Sequence, residues 1–287
     1  MKRILSLLLL VALSAGAFAA TDSGITAMSF NIRYPNKADS LNYWPNRKDY
    51  AAGLIRFHKV DIAGLQEATK PQIDNLLESM PDFGFIGVGR EDGKQEGEYS
   101  PILYNKNQFK LLKGGTFWLS ATPEKAGSQG WDGACKRVAT WGIFIQKATG
   151  ARFFFMNTHL DHVGKVARRE GARLLRQRME KLSEGLPAIL TGDFNSEPES
   201  GPIQIILNES ASFRIRWART EAPFIYGPYA TWHEFGQIPH EKRSMIDYLF
   251  VAGPVKVNEY GVLSEHNGSL YPSDHFPVLV RLTINKK

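Results

Sequence analysis

Cysteine is almost missing from this chain: Cys135 is the only one in 287 residues. One thiol excludes an intrachain disulfide and excludes the thiolate cage that a closed structural zinc site needs. Stability must therefore come from an ordinary apolar core, and a chain of this length can bury one without covalent staples. Cys135 reads as a bystander, and no serine sits in a nucleophile setting. Long apolar runs are equally scarce. The one that exists, Ile4 to Leu13, follows Lys2-Arg3 and precedes Ala17-Phe18-Ala19. It is too short to span a bilayer comfortably. A basic start, a short apolar stretch and an A-x-A site describe an export signal instead. Residues 1–19 are thus expected to be removed, leaving a periplasmic or extracellular product with no transmembrane segment. Repeats, low-complexity linkers and composition breaks are also absent, so residues 20–287 are expected to form one domain.

An uninterrupted basic stripe is missing too. The net charge is +6, and losing Lys2 and Arg3 lowers it to +4. The richest basic segment, Lys165 to Ser183, has the spacing of a helix with Ala172, Leu175, Met179 and Leu182 as its apolar stripe. Its other faces carry Arg168, Arg169, Arg173, Arg176, Arg178 and Lys181, but Glu170, Glu180 and Glu184 break the charge. That pattern describes a solvated outer face. The mild surplus tolerates an anionic partner without requiring nucleic acid, which stays open but is not favoured.

What the sequence does have is a series of apolar runs that end in acids, amides and imidazoles. Leu186-Pro-Ala-Ile-Leu190 runs into Thr191-Gly192-Asp193-Phe194-Asn195. If strand geometry persists, period two turns Asp193 and Asn195 to one side. A carboxylate beside a carboxamide suits the holding and deprotonation of water. Ile25 to Phe30 alternates as a strand and ends at Asn31, and Asp61 to Leu65 ends at Gln66-Glu67. The hairpin Lys136 to Lys147 and Arg152 to Thr158 delivers His159 in Asn157-Thr-His-Leu160. Asp247 lies in Met245-Ile-Asp-Tyr248, between apolar neighbours that imply burial and hence a partner. The last run is preceded by Ser273-Asp274-His275. Helices are expected from about Arg47 to His58, after Pro71 with Ile73, Leu76, Leu77 and Met80 inward, and near Gly201 to Leu207. Further strand-like pieces are Phe83 to Val88, Pro101 to Asn105, Phe109 to Leu119, Met245 to Ala252, Val255 to Leu263 and Phe276 to Ile284. Short turns between strands imply antiparallel pairing. The expected fold class is α/β: a four-layer sandwich of two packed, mostly antiparallel sheets with helices outside.

Carboxylate and amide oxygens without thiolates suit a hard cation such as Mg²⁺, with Mn²⁺ as an alternative, and point to metal-assisted hydrolysis of a phosphoester by water. The ordered series SFN, LQE, NTHL, GDFN, IDY and SDH resembles the endonuclease/exonuclease/phosphatase superfamily of DNase I-like proteins and covers almost all of residues 20–287. The resemblance implies the two-sheet sandwich and a site at the strand ends. It implies that Glu67 and Asn31, with Asp274, hold the metal. Asp193 activates water that Asn195 helps place, His275 oriented by Asp247 stabilises the transition state, and His159 contacts phosphate. One departure stands out: Ile32-Arg33 follows Asn31 where some DNA-repair members place an acid, which implies a thinner metal shell. Arg90 in the Gly-rich segment Gly87 to Lys94, which lacks the Walker spacing, and Arg137 at a strand start are candidate phosphate contacts. The loop Tyr43 to Arg47 is read as a possible shaper of the entrance, with Trp44 either stacking on a ligand or packed. His162, His233, His240 and His266 are read as structural, Asp161 stays open, and Glu197 reads as a loop acid. The substrate is expected to be a non-nucleic phosphoester of sugar, lipid or inositol type. The alternatives are a secreted nuclease and a catalytically silent binding protein on the same scaffold.

Overall fold

The computed structural model describes residues 24–208 and 212–284; the expected export segment, residues 1–19, lies outside them. Among the described residues, no helix is long and apolar enough to cross a membrane. The elements run β1 (Gly24–Asn31), α1 (Trp44–Phe57), β2 (Ile62–Gln66), α2 (Lys70–Ser79), β3 (Phe83–Ile86), β4 (Ile102–Asn105), β5 (Phe109–Trp118), β6 (Val138–Gln146) and β7 (Arg152–His159). Then come α3 (Lys165–Leu182), β8 (Ala188–Asp193), α4 (Gly201–Leu207), β9 (Ile215–Trp217), α5 (Ala218–Glu221), β10 (Ile225–Tyr226), β11 (Asp247–Ala252), β12 (Val255–Val262) and β13 (Val278–Ile284). They form a seven-stranded sheet ordered β10-β12-β13-β1-β2-β4-β3 and a six-stranded sheet ordered β5-β6-β7-β8-β11-β9.

The sandwich is the expected one, but three strand pairs are parallel: β1 with β2, β7 with β8, and β10 with β12. The first two are joined through α1 and α3, because parallel neighbours need a crossover rather than a tight turn. Ala172, Leu175 and Met179 of α3 are buried against the second sheet, and α1 and α2 cover the first. Thr69 and Gln72 form a capping box that starts α2, with Pro71 in its first turn. The outer face of α3 departs from expectation at Arg176, which is buried and donates to the carbonyls of Ile206 and Phe213, pinning α4 and the segment after it.

Most of the intersheet core is apolar, but one polar seam crosses it. Asn157 Oδ1 accepts from Gln66 Nε2 at 2.7 Å and Thr191 Oγ1 at 3.0 Å, while its Nδ2 donates to the carbonyls of Leu65 and Pro101. Gly64 lies on this seam. A Cβ there would stand 2.1 Å from Thr191 Oγ1 and 2.4 Å from Asn157 Oδ1. Both side chains are held by hydrogen bonds and cannot yield freely. Gly64→Ala is therefore expected to lower stability by about 1–3 kcal/mol, the usual cost of overpacking, read as a reduced urea midpoint with an unchanged slope.

Candidate active site

The strand register gathers the chemistry. In the second sheet, His159 of β7 pairs with Asp193 of β8, and Asp193 pairs with Asp247 of β11. Three titratable side chains thus form one row across three neighbouring strands. In the first sheet, Asn31 ends β1 beside Gln66 at the end of β2. The two sheets face each other, and Asn31 Nδ2 bridges them, donating to Glu67 Oε1 at 3.1 Å and to Asp193 Oδ2 at 3.0 Å. Asp274 and His275 arrive from the segment before β13. All eight expected residues meet at one end of the sandwich.

Two of them arrive by a route that alternation does not describe. Strand β8 ends at Asp193, and Asn195 has φ 45°. The chain curls back through a left-handed residue, so Asn195 donates its backbone N–H to Asp193 Oδ1 at 2.9 Å while its carboxamide lies 3.0 Å from His159 Nε2. Glu67, with φ 58°, is likewise swung out of strand β2. Gln66 consequently points into the polar seam, and Glu67 faces the cleft. Left-handed backbone at non-glycine residues costs energy and persists where surrounding contacts over-determine it.

Two carboxylates placed directly opposite each other repel, and His275 resolves the conflict. Its Nδ1 lies 2.8 Å from Asp247 Oδ2, and its Nε2 lies 4.0 Å from Asp193 Oδ2. Burial opposes a charged imidazole, but the charge and hydrogen bond of Asp247 outweigh it and raise His275 to about 10. Asp193 moves the other way from an ordinary acid: burial first, then the Asp247 charge, push it up to about 7. Burial also raises Asp274, although His275 and Arg33 oppose the shift. Glu67 resists its own desolvation because the Tyr34 N–H at 2.7 Å, His275 and Asn31 hold it below its usual value.

His159 has a different character. Arg137, which can only donate, places Nη1 2.8 Å from His159 Nδ1. That makes Nδ1 an acceptor, while Nε2 stands between the donor Asn195 Nδ2 at 3.0 Å and the acceptor Asp193 Oδ2 at 3.4 Å. Burial, then the charge of Arg137, keeps the ring neutral.

These groups open onto a cavity of about 580 Å³ lined by Glu67, Asp193, Asn195, Asp274 and His275, with Arg90 and Arg137 in its wall. Both arginines thus line the same cleft as the acids and imidazoles, and Arg90 also pairs with Glu98 at 2.8 Å. A larger cavity, about 810 Å³, is lined by residues such as Leu186, Phe213 and Trp217 and contains none of these groups; chemistry rather than volume marks the site.

Other readings change. His162 is no bland surface residue: it lines the cleft, and its Nδ1 receives Arg137 Nη2 at 3.2 Å. Glu197 also reaches the cleft wall, where it accepts from Ser244 at 2.9 Å. Asp161 serves the backbone, accepting from the N–H groups of Cys135, Val163 and Gly164. His233 is structural as expected, stacked on Phe276 at 3.8 Å. Trp44 is packed in the first turn of α1 with Nε1 on Asn75, so it shapes no entrance.

Arg47, which the sequence offers as a helix start and the end of an entrance loop, has a different place. It is fully buried and donates to the carbonyls of Ile32, Arg33, Asn42 and Pro272 at 2.6–3.0 Å. Burial lowers it to about 10, which still leaves it charged at neutral pH. This one side chain ties the exit of β1 to the segment carrying Asp274 and His275. No sequence pattern marks it, because its partners are backbone carbonyls remote along the chain.

The donor set fits a hard cation. Glu67 and Asp274 offer carboxylate oxygens and no sulfur, and crowded buried carboxylates are costly without a counter-charge. Ligand atoms of Glu67, His159 and Asp193 lie within 4.8 Å of one another. Asn31 turns its amide nitrogen toward Glu67 and Asp193, and its Oδ1 accepts from the Arg33 N–H at 2.9 Å. Asn31 therefore orients the acids here; offering its oxygen to a cation requires rotation of the carboxamide.

A two-sheet sandwich whose strand ends gather carboxylates and imidazoles in one cleft is the architecture of a phosphoesterase. The chain belongs to the endonuclease/exonuclease/phosphatase family, whose model matches residues 28–275. Members of this family hydrolyse phosphoester bonds with the help of divalent metal ions. An endonuclease/exonuclease/phosphatase structure from Bacteroides vulgatus is 40% identical, with 91% of this chain and 99% of that chain covered and a TM-score of 0.88. A mannosyl-6-phosphatase from Bacteroides thetaiotaomicron is 37% identical, covering 90% of this chain and 99% of that one, with a TM-score of 0.84. An uncharacterized protein of Acanthamoeba polyphaga mimivirus is 30% identical over 169 residues, 55% of this chain and 61% of that protein. The chain thus spans less than two thirds of that curated relative's length.

Proposed function

We propose that this protein is a Mg²⁺-type phosphomonoesterase acting on a phosphorylated sugar. The observation that carries the hydrolytic part is the Asp193–His275–Asp247 arrangement. It places a carboxylate near neutrality beside an imidazole held cationic. The sugar part is supported by the similarity to the mannosyl-6-phosphatase across nearly the full length of both chains.

Asp193 Oδ2 takes a proton from the attacking water while the Asn195 carboxamide helps place it. The water oxygen bonds to phosphorus, the bond from phosphorus to the alcohol oxygen breaks, and the departing oxygen takes up a proton from solvent. His275, cationic through Asp247, stabilises the negative charge that gathers on the phosphoryl oxygens. His159, neutral and held at Nδ1 by Arg137, faces the phosphoryl group from the other flank. Glu67 and Asp274 would hold the cation, with Asn31 beside them. The ion supplies Lewis-acid charge at the phosphoryl oxygens when bound.

The test is a panel of mannose 6-phosphate, an inositol phosphate, sphingomyelin, RNA and plasmid DNA, each offered with Mg²⁺, with Mn²⁺ and with a chelator. Mannose 6-phosphate is expected to be cleaved with either ion and spared under chelation. Calorimetric Mg²⁺ binding is expected to be lost in Glu67→Ala. Cleavage of plasmid DNA with no sugar phosphate turnover would establish the nuclease alternative instead. Silence on every substrate with either ion would establish the binding protein.

A further inference from the structure

Past Arg33, Asp274 and Trp232, a second cavity of about 470 Å³ opens beside the cleft. Those three residues line both cavities, so each is a wall between them. The character of the two differs. The basic groups Arg90, Arg137 and His162 line the cleft only. The second compartment carries Asp39, Asn42, Glu234 and Gln237, with Phe235 and Trp232 as its aromatic surfaces.

Arg33 is the hinge of this division. Its guanidinium is gripped in a fork by Asp39, Nε to Oδ2 at 3.1 Å and Nη2 to Oδ1 at 3.0 Å, while Nη1 lies 3.5 Å from Asp274 Oδ2. Its one positive charge is outnumbered in the compartment by the carboxylates of Asp39 and Glu234, with Asp274 at the boundary turned to the cleft's cation site. The backbone here is unusual as well. Nine non-glycine residues among those described have positive φ, and four of them, Arg33, Ser40, Glu234 and Phe235, line this compartment. Consecutive left-handed residues at 234 and 235 hold their side chains in a geometry an ordinary loop does not adopt. Strain of this kind gathers where a site must be held in one shape.

A phosphate seated among the cationic groups of the cleft leaves the alcohol half of its ester to be housed elsewhere. The compartment past Arg33 adjoins the reacting centre and has the matching chemistry. Carboxylate and carboxamide groups exchange paired hydrogen bonds with neighbouring hydroxyls, and aromatic faces cover the apolar side of a ring. An acidic lining disfavours a second phosphate through like-charge repulsion. We propose that this compartment is the leaving-group subsite and that it selects a neutral polyhydroxylated ring, a hexose bearing a single phosphate. The assignment rests on the phosphomonoesterase reading above and specifies which residues choose its substrate.

Glu234 and Gln237 are the side chains to remove, because both are exposed and neither belongs to the catalytic group. The hydrogen bonds that shape their loop come from the backbone, Glu234 N to Asp274 O and Gln237 N to Glu234 O, and survive truncation. The native protein and Glu234→Ala/Gln237→Ala are compared on mannose 6-phosphate, fructose 1,6-bisphosphate and p-nitrophenyl phosphate, whose leaving group has no hydroxyls to recognise. In the native protein mannose 6-phosphate is expected to be the best of the three. The double variant should lose about tenfold or more in kcat/KM on it, mainly through KM, the scale of losing one or two hydrogen bonds. Turnover of p-nitrophenyl phosphate should stay within about twofold. Binding of mannose 6-phosphate to Asp193→Asn, read by calorimetry, should weaken in parallel when the two subsite changes are added. An unchanged kcat/KM on mannose 6-phosphate, or an equal loss on the aryl phosphate, overturns the subsite. A native protein that prefers p-nitrophenyl phosphate overturns it while leaving the hydrolase reading intact, whereas one that cleaves none of the three overturns both.

Discussion

Asp193→Asn is expected to lower kcat by about 10²–10⁴-fold, the usual contribution of a positioned acid–base group, while leaving the protein folded. Asparagine keeps the shape and one acceptor oxygen, for the Asn195 N–H or for Asn31 Nδ2 but not both, and it takes no proton from water. The stability difference between this variant and the native protein should shift in the variant's favour as pH rises through about 7. The sign follows from burial and Asp247, which raise Asp193 from 3.8 to about 7. A group raised in the folded state contributes most to stability below its unfolded pKa, and that contribution is lost as pH rises through about 7. Ionised Asp193 is thus a cost to the fold at pH 8, and the amide removes it. A urea midpoint for Asp193→Asn that gains on the native one between pH 5 and pH 8 in a protein that stays folded, combined with the loss of turnover, separates a catalytic role from a structural one. A variant that keeps near-native turnover on the best substrate overturns the mechanism.

His275→Ala is expected to fall in the same range of about 10²–10⁴-fold, since it removes the buried cation that the proposed mechanism sets against the phosphoryl charge. Its positioning partner has a more specific signature. Asp247 raises His275 to about 10, so the native rate should hold on the alkaline side until about pH 10. In Asp247→Asn the raising charge is gone, and the alkaline limb of kcat/KM should move to lower pH, with a smaller loss at neutral pH than in His275→Ala. Linkage has the same sign. The folded pKa lies above 6.5, so the stabilisation from charging His275 is present below that value and is lost as pH rises through about 10. An alkaline limb unmoved by Asp247→Asn would remove Asp247 from the mechanism and leave the rest of the site standing.

Much of this site is legible in the residues alone because strands place chemistry at their ends. Asn31, His159, Asp193 and Asp247 each terminate or begin an apolar run, and burial of the run carries the polar residue to the same edge of a sheet. The short helix at Gly201–Leu207 and the long one after Gly164 are legible for a similar reason, since their periodicity is local. The sequence also announces that Asp247 needs a partner, because a carboxylate among Ile246, Tyr248 and Leu249 cannot be buried alone.

Other features depend on pairs that sequence distance hides. That β1 and β2, and β7 and β8, run parallel follows from crossovers over the sheet faces and not from turn signals. That Asn195 and Glu67 reach the cleft through left-handed residues is decided by the tertiary contacts that hold them there, against the intrinsic preference of Glu67 and within the tolerance of Asn195. Arg47 gives no signal at all: its burial is tolerable only because four carbonyls from three separate segments converge on it. The compartment past Arg33 has the same origin, since Asp39, Glu234 and Asp274 are far apart in the chain and share a wall only once the sheets have packed. The sequence by itself determined the class of fold and the set of acids, amides and imidazoles that the fold brings into one cleft, because each rests on local pattern and residue chemistry. Tertiary structure alone decided which carboxyl is raised toward neutral pH, which imidazole is charged and which residues line the compartment beside the cleft, because those properties are set by burial and by charges brought within a few ångströms from remote parts of the chain.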